Sequence, residues 1–389
     1  MRKSNNLTKI LFKISLLFLV FLNTHAWFTW PFEFLSFIPT TLLRLGLAAL
    51  ALIYAQTNGI RLSFNYKIWI SAICFLIASN IPFVSFGEML AQIVLFIPIS
   101  VLICDKENAN ENLRFISVGL SLVFIPGFCL YVLKLFGQLN VYGFPIQYGD
   151  LNVNKTYTFM NYGFMLVRTW EAADIRFTSV YLEPGYMGTL ISFMLYANCY
   201  NFRKWYNIVL LIALLFSFSL AGYVVTFVGY ILYSLSVKKN VGHLLWFALL
   251  VFMVFLVSKE YNDGHNLINE LIVERLEFDE DKGIKGNDRF TGDADWIYEK
   301  AIRTGSFLFG DSSVRNMTGA GYKVFFVNRG IVAAFLYFIF YYNIALCSKR
   351  NRFYSKSFLF IIFLTFLQAA YPSSYSWIIP YILGVKNEE

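Results

Sequence analysis

Arg176-Phe-Thr-Ser-Val-Tyr-Leu-Glu183-Pro-Gly-Tyr-Met-Gly188 is the stretch that decides how this chain is organised, because a long polar segment meets an apolar run there. The stretch brings two charged side chains, a proline and two glycines to the start of that apolar run. In lipid, charge is costly, and irregular backbone is tolerated only where protein or a water-filled cavity surrounds it. The stretch therefore predicts a functional site at a membrane boundary.

The composition of the whole chain is typical of a membrane protein. Of its 389 residues, 58% are hydrophobic and only 14% are charged, whereas a soluble domain has about 25% charged residues. The net charge is +8, but much of the basic excess lies in short loops between apolar runs rather than on a soluble face. We therefore expect a single transmembrane domain over residues 1–389 and no nucleic-acid partner.

Apolar runs long enough to cross a bilayer recur along the chain. Each crossing needs about 20 apolar residues, and about twelve runs qualify. They cover residues 10–23, 35–54, 68–84, 89–104, 115–136, 185–200, 206–219, 221–237, 242–257, 324–347, 357–371 and 375–385. The predicted fold class is an all-α polytopic integral membrane protein. Two regions stay open: residues 206–237 form either one broken helix or two, and residues 357–385 form either two spans or one kinked span with a re-entrant piece.

The orientation follows from lysine and arginine, which favour cytoplasmic loops. Basic residues occupy the N-terminus, alternate short loops and the C-terminus, and the alternation stays in phase throughout. Both termini are then predicted to be cytoplasmic. The same phase puts two large loops, residues 137–184 and 258–323, on the outer side. In the second loop, residues 265–278 and 295–303 have apolar side chains at helical spacing, and the segment between them reads as irregular.

Short motifs add a family resemblance. They are Arg176-x2-Ser179-x3-Glu183-Pro-Gly185-x2-Gly188, then Arg289-Phe-x5-Trp296, Phe309-Gly310, Gly319-Ala-Gly321-Tyr322, and finally Asn328-Arg-Gly330 before an apolar run. With about twelve spans and a large outer loop in the C-terminal half, this pattern resembles polysaccharide polymerases of the O-antigen polymerase (Wzy) type. The resemblance implies a glycosyltransferase-type enzyme in the bacterial inner membrane. Its expected substrate is an oligosaccharide carried on undecaprenyl diphosphate.

The resemblance also implies roles for particular residues. Arg176 would stabilise the diphosphate leaving group, since the planar guanidinium suits phosphate oxygens. Glu183 would orient or deprotonate the acceptor hydroxyl, and Arg289 would be a second catalytic contact to phosphate or sugar. Further expected substrate contacts are Ser179, Tyr181, Gly185, Gly188, Arg315 and Arg44.

Each of these assignments has a structural alternative. Arg176 could be an interfacial arginine that reaches toward water, and Glu183 could pair with Arg176 or interact with the start of a helix. Arg289 and Arg315 could be solvated loop residues. Arg44 lies in mid-span, where a charge must face the bundle interior or a polar cavity. Whether Arg44 contacts lipid phosphate or a neighbouring helix is left open.

Other functions and ligands are weighed on the same residues. A repeat-unit flippase would have about twelve spans too, but with short loops and related halves. O-antigen ligases have a His-Asn pair at the end of the large loop, whereas His265-Asn266 stands at its start here. Asp293-Ala-Asp295 matches a metal-binding pattern of nucleotide-sugar enzymes, but a lipid-diphosphate donor carries no nucleotide. We expect no metal and no cofactor, membrane lipid as surroundings, and a chain-length regulator as an optional partner.

Overall fold

The computed structural model describes residues 6–33, 37–62, 66–83, 85–105, 107–139, 142–150, 155–169, 175–237, 242–279, 283–284, 292–311, 321–348 and 351–387. Helices dominate these residues. The first six are α1 (Asn6–Leu22), α2 (Trp30–Glu33), α3 (Phe37–Thr57), α4 (Tyr66–Ser79), α5 (Phe86–Cys104) and α6 (Ala109–Leu135). The others are α7 (Pro184–Ala197), α8 (Trp205–Phe216), α9 (Leu220–Val237), α10 (Gly242–Glu260), α11 (Gly292–Thr304), α12 (Tyr322–Leu346), α13 (Arg352–Leu364) and α14 (Tyr375–Lys386).

Every predicted apolar run overlaps one of these helices. Among the described residues, four helices are long and apolar enough to cross a membrane: Phe86–Cys104, Ala109–Leu135, Leu220–Val237 and Tyr322–Leu346. Shorter apolar helices cover Thr41–Thr57, Tyr66–Ser79 and Trp205–Ser217. The helical, membrane-embedded class is therefore supported, and the number of crossings stays a prediction.

Residues 206–237, which the sequence left open, form two helices. The turn between α8 and α9 is built by serines: the Ser217 hydroxyl donates to the Leu214 carbonyl (2.6 Å), and the Ser219 amide donates to the Ser217 hydroxyl (3.2 Å). Phe218 between them takes a positive φ of 45°. Residues 357–385 likewise contain two helices, α13 and α14, joined by a short 3-10 turn at Thr365–Leu367.

The helix α7 is the central element of the bundle. All its residues from Met187 to Ala197 are buried, and α8, α9 and α14 pack around it. Close approach of α7 and α9 depends on glycine, since a Cβ on Gly188 would lie 2.7 Å from the Ser219 side chain. A helix that is apolar on all sides belongs in a core, so the N-terminus of α7 fixes where the chain enters that core.

The first large loop contains a sheet that the helical expectation did not include. Strands β1 (Phe144–Asp150), β2 (Lys155–Asn161) and β3 (Leu166–Arg168) pair antiparallel in the order β1-β2-β3. Phe159 and Leu166 bury one face of the sheet against Trp30. The indole of Trp30 lies 5.5 Å from the Phe159 ring between centroids. The loop between α6 and α7 is thus anchored to the segment after α1.

The second large loop has less regular structure. Both predicted helical pieces are present: α11 covers residues 295–303, and residues 267–276 form one continuous helical segment. That segment includes a π-helix at Asn269–Val273 and a 3-10 helix at Glu274–Leu276. Two short strands, β4 (Phe278–Asp279) and β5 (Gly283–Ile284), pair antiparallel.

Candidate functional site at the start of helix α7

The start of α7 has the geometry that the Glu183-Pro184 pair predicts. Glu183 is the N-cap residue with φ −138° and ψ 144°, and Pro184 is the first helical residue. A proline ring disfavours helical backbone in the preceding residue, and proline itself suits the first helical position. The half-buried Glu183 side chain makes no capping hydrogen bond to α7. Its carboxylate therefore does not cap the N-terminus of α7.

Arg176 is held in place by both of its neighbours in the chain. The carbonyl of Ile175 accepts a hydrogen bond from the Tyr131 hydroxyl (2.5 Å). The ring of Phe177 is fully buried, and its amide donates to the Phe216 carbonyl (2.8 Å). The backbone on each side of Arg176 is thus fixed to the helix bundle, while the Arg176 side chain is only half-buried.

Three cations surround one small pocket beside this segment. Lys134 comes from the last turn of α6, Arg168 from the end of β3, and Arg176 from the extended segment. The pocket is small and open to solvent, and its other lining residues are Phe159, Leu166, Val167, Thr178 and Leu182. Clustered like charges beside apolar walls give a strong positive potential. We call this the cationic pocket, and its chemistry suits an anion with several oxygens.

Lys134 and Arg168 were not predicted as site residues. The available signal was weak: Lys134 is a basic residue at the end of an apolar run, a common position for an interfacial anchor. Only the sheet brings Arg168 back toward the end of α6. Glu171 and Asp174 lie between Arg168 and Arg176 in the sequence, and both are outside the described residues.

Glu183 is not paired with Arg176. The ion pairs among the described residues are Lys13–Glu111, Lys259–Glu277 and Arg303–Glu299, and none involves Glu183. A structural Arg176–Glu183 bridge is therefore not present among the described residues, and the role of Glu183 stays a prediction.

Three expected substrate contacts lie in the protein interior instead. Ser179 is fully buried with φ 50°, and its hydroxyl donates to the Phe164 carbonyl (3.2 Å). The ring of Tyr181 is also fully buried, between Phe21 and Phe124. Gly188 is packed against α9, as described above. The contacts of these three residues are with the protein interior and not with the pocket. Their role in this structure is therefore to support the site and not to line it.

Gly185 and Arg44 have intermediate exposure. Gly185 is the second residue of α7, next to Tyr186, and its carbonyl accepts a hydrogen bond from Thr189 (3.0 Å). Arg44 lies on α3, and its role stays a prediction. Arg289 and Arg315 lie outside the described residues, so their assignment stays a prediction.

Two of the short motifs in the second half meet at a break in α12. Gly330 has φ 78° and ψ 164°, which interrupts the helix. The residues shortly after α11 fill the break: the amides of Ile331 and Val332 donate to the carbonyls of Phe307 (3.0 Å) and Leu308 (3.1 Å). A Cβ on Gly330 would lie 2.6 Å from the Gly310 amide nitrogen. The two glycines therefore allow two backbones to touch.

Arg329, the arginine of the Asn328-Arg-Gly330 motif, has an internal role at this break. Its guanidinium Nη1 donates to the carbonyls of Ser79 (3.1 Å) and Ile81 (3.2 Å), just where α4 ends. A cation is favourable at a helix C-terminus, where carbonyls lack helical partners. Arg329 thus joins α12 to the end of α4.

No family model, curated protein or solved structure matches this chain.

Proposed function

We propose that this protein is a polymerase that joins oligosaccharide repeat units, carried on undecaprenyl diphosphate, into O-antigen or capsular polysaccharide. The observation that carries the proposal is the cationic pocket of Lys134, Arg168 and Arg176, a few residues along the chain from the Glu183 carboxylate. In this proposal the chain has about twelve crossings, both termini are cytoplasmic, and the site lies at the outer face of the bacterial inner membrane.

The reaction needs both parts of the site. An acceptor hydroxyl oxygen attacks the anomeric carbon of the donor sugar, and the bond between that carbon and the diphosphate oxygen breaks. The electron pair leaves with undecaprenyl diphosphate, whose growing charge the cationic pocket would stabilise. The acceptor proton passes to a base, the role assigned to Glu183. Arginine binds phosphate oxygens with two donors at once, and lysine adds a point charge.

The position of the pocket supports a lipid-borne anion rather than a soluble one. Lys134 ends a helix long enough to cross a membrane, and Arg176 lies before the buried helix α7. A diphosphate at the headgroup level could reach both while its prenyl chain stays in lipid. Glycosyl transfer then occurs where the lipid carrier and an aqueous sugar chain meet.

Deleting the gene and restoring variants tests the proposal. The deletion is expected to leave single repeat units on their acceptor, and Glu183→Gln should fail to restore long chains while the protein reaches the membrane. The exposed Glu299→Gln variant is the matched control. Intermediates trapped on the cytoplasmic face would mean a flippase, and full polymer left on undecaprenyl would mean a ligase. Either outcome contradicts the polymerase.

A further inference from the structure

A group of aromatic and polar side chains lies at the start of α7, where Tyr186 follows Glu183 by three residues along the chain. It consists of His25, Tyr148, Tyr186 and Tyr371, and we call it the aromatic cluster. Its members come from the segment after α1, from β1, from the first turn of α7 and from the segment before α14. Sequence reasoning assigned no role to His25 or Tyr186, because the four residues meet only in the folded chain.

The polar contacts within the aromatic cluster are longer than usual hydrogen bonds. The Tyr186 hydroxyl lies 3.5 Å from the Tyr371 hydroxyl, and the Tyr148 hydroxyl lies 3.4 Å from His25 Nδ1. Hydrogen bonds between oxygens are usually about 2.7–2.8 Å long. A hydroxyl both donates and accepts, so such long contacts can shorten or exchange when a ligand brings hydroxyls of its own. Tyr371 is 40% exposed, so its side chain reaches the protein surface.

The cluster is fixed to the residue beside Glu183 by backbone bonds. His25 has φ 53°, a conformation that a residue with a side chain rarely adopts and that often marks functional positions. Its carbonyl accepts hydrogen bonds from the Leu182 amide (3.3 Å) and from the Trp30 indole (3.0 Å). The ring of His25 lies 5.3 Å from the ring of Tyr186 between centroids. His25 therefore approaches Tyr186 from the segment after α1, a different part of the chain.

We infer that the aromatic cluster binds a sugar ring of the acceptor repeat unit. A pyranose has apolar C–H faces and a rim of hydroxyls. Aromatic rings offer apolar faces with a polar edge, and phenol, imidazole and carboxylate groups supply the donors and acceptors that hydroxyls need. Tyr186, Tyr371 and His25 would contact the sugar, and Tyr148 would position the His25 ring.

This inference rests on the proposed function for the identity of the sugar and for the direction of transfer. It divides the site in two at Leu182 and Glu183. Leu182 lines the cationic pocket, where the donor diphosphate would lie. Glu183 precedes Tyr186 by three residues at the start of α7, beside the aromatic cluster, where the acceptor hydroxyl would lie. The carboxylate is then on the acceptor side, as a base for that hydroxyl has to be.

The test is binding of the repeat-unit oligosaccharide to the purified full-length protein in detergent. The probe is the oligosaccharide released by mild acid from the lipid-linked units of the deletion strain, and calorimetry measures its affinity. Tyr371→Phe and His25→Asn are expected to weaken binding by about tenfold each, the effect of losing a ligand hydrogen bond. Tyr142→Phe, at a tyrosine that is 90% exposed, is the matched control and should bind normally.

Some outcomes would overturn the inference. They are no binding to the wild-type protein, unchanged affinity in both cluster variants, or equally tight binding of maltotriose, which would mean nonspecific stacking. The proposed function fails separately: specific oligosaccharide binding that the cluster variants lose, in a protein that forms no polymer from lipid-linked units, keeps the sugar site and removes the polymerase. For His25→Asn, a thermal unfolding temperature equal to that of the wild type separates lost contacts from misfolding.

Discussion

The start of α7 and the break in α12 look alike in sequence, and the structure gives them opposite roles. Each has an arginine and glycines where a large loop meets an apolar helix. Arg176 shares a pocket with two other cations, whereas Arg329 donates to two carbonyls at the end of α4. The role of an arginine at the start of a helix therefore depends on the groups around its side chain. Beside other cations it suits an external anion, and beside carbonyls it stabilises the fold.

The glycines differ in the same way. At α7, Gly185 follows a regular helix start, and Gly188 permits the contact with α9. At α12, Gly330 breaks the helix, and residues 307–308 supply carbonyls to the amides after the break. The first region is therefore a regular helix start with an accessible pocket beside it. The second is a closed joint between a loop and a helix.

Replacing Arg176 should have the largest effect on activity. We expect Arg176→Gln to lower polymer formation by about 10²–10³-fold, the usual effect of removing one donor that stabilises charge in a transition state. The unfolding temperature should not change, since the side chain is half-buried at a pocket. Chain-length ladders and thermal unfolding of the purified variant measure the two effects. Arg203→Gln, at an exposed loop position, is the control, and equal activity of the two variants would contradict the assignment.

Replacing Gly330 should have the largest effect on stability. Gly330→Val puts a branched side chain at a backbone conformation that is essentially restricted to glycine, at about 3 kcal/mol, and it would overlap Gly310 and Leu308. We expect a lower unfolding temperature and less protein in the membrane. Gly46→Val on α3, where a Cβ meets nothing within 4 Å, is the control. A normal unfolding temperature for Gly330→Val would mean that the joint is not rigid.

Replacing Arg329 should separate stability from chemistry. Arg329→Met keeps an unbranched, largely apolar stem but leaves the carbonyls of Ser79 and Ile81 without this donor, a loss of about 2 kcal/mol. We expect reduced stability with nearly normal activity per folded molecule, the reverse of the result for Arg176→Gln. Activity normalised to folded protein makes the comparison. A variant of normal stability and no activity would move Arg329 into the catalytic site.

Replacing Lys134 should have the smallest effect of the four. Lysine contributes a point charge rather than a two-donor contact, so we expect Lys134→Gln to lower activity by about tenfold, or about 1.4 kcal/mol. The loss should appear in kcat/KM, since the charge of Lys134 would act on the diphosphate both when the donor binds and when its negative charge grows. Kinetics with purified lipid-linked units would detect this. An unchanged kcat/KM would remove Lys134 from the cationic pocket's function.

Local features of the chain were predictable from sequence. Helical segments follow from apolar runs, whose length and composition are properties of neighbouring residues. The extended backbone of Glu183 follows from Pro184 alone. The serines in residues 206–237 show where the helix is interrupted. The sequence does not distinguish one kinked helix from two helices there, because both have the same local pattern.

Features that depend on distant residues were not predictable. Lys134 and Arg168 join Arg176 only because a sheet folds the loop back toward α6, and His25 reaches Tyr186 only through backbone pairing with Leu182. Ser179 and Tyr181 looked like site residues because they share a motif with Arg176. In the irregular segment before α7, however, these two side chains point into the core, and the motif does not reveal which ones do.

The proposed polymerase activity can be measured directly by reconstituting the purified full-length protein with lipid-linked repeat units. The protein would be inserted into vesicles with its proposed site on the outside. Polymer length and released undecaprenyl diphosphate would then be measured. The polymerase predicts one undecaprenyl diphosphate released for each unit added, and loss of both signals in Arg176→Gln but not in Arg329→Met. Movement of repeat units across the bilayer without release of the lipid carrier, or equal activity in the two arginine variants, would contradict it.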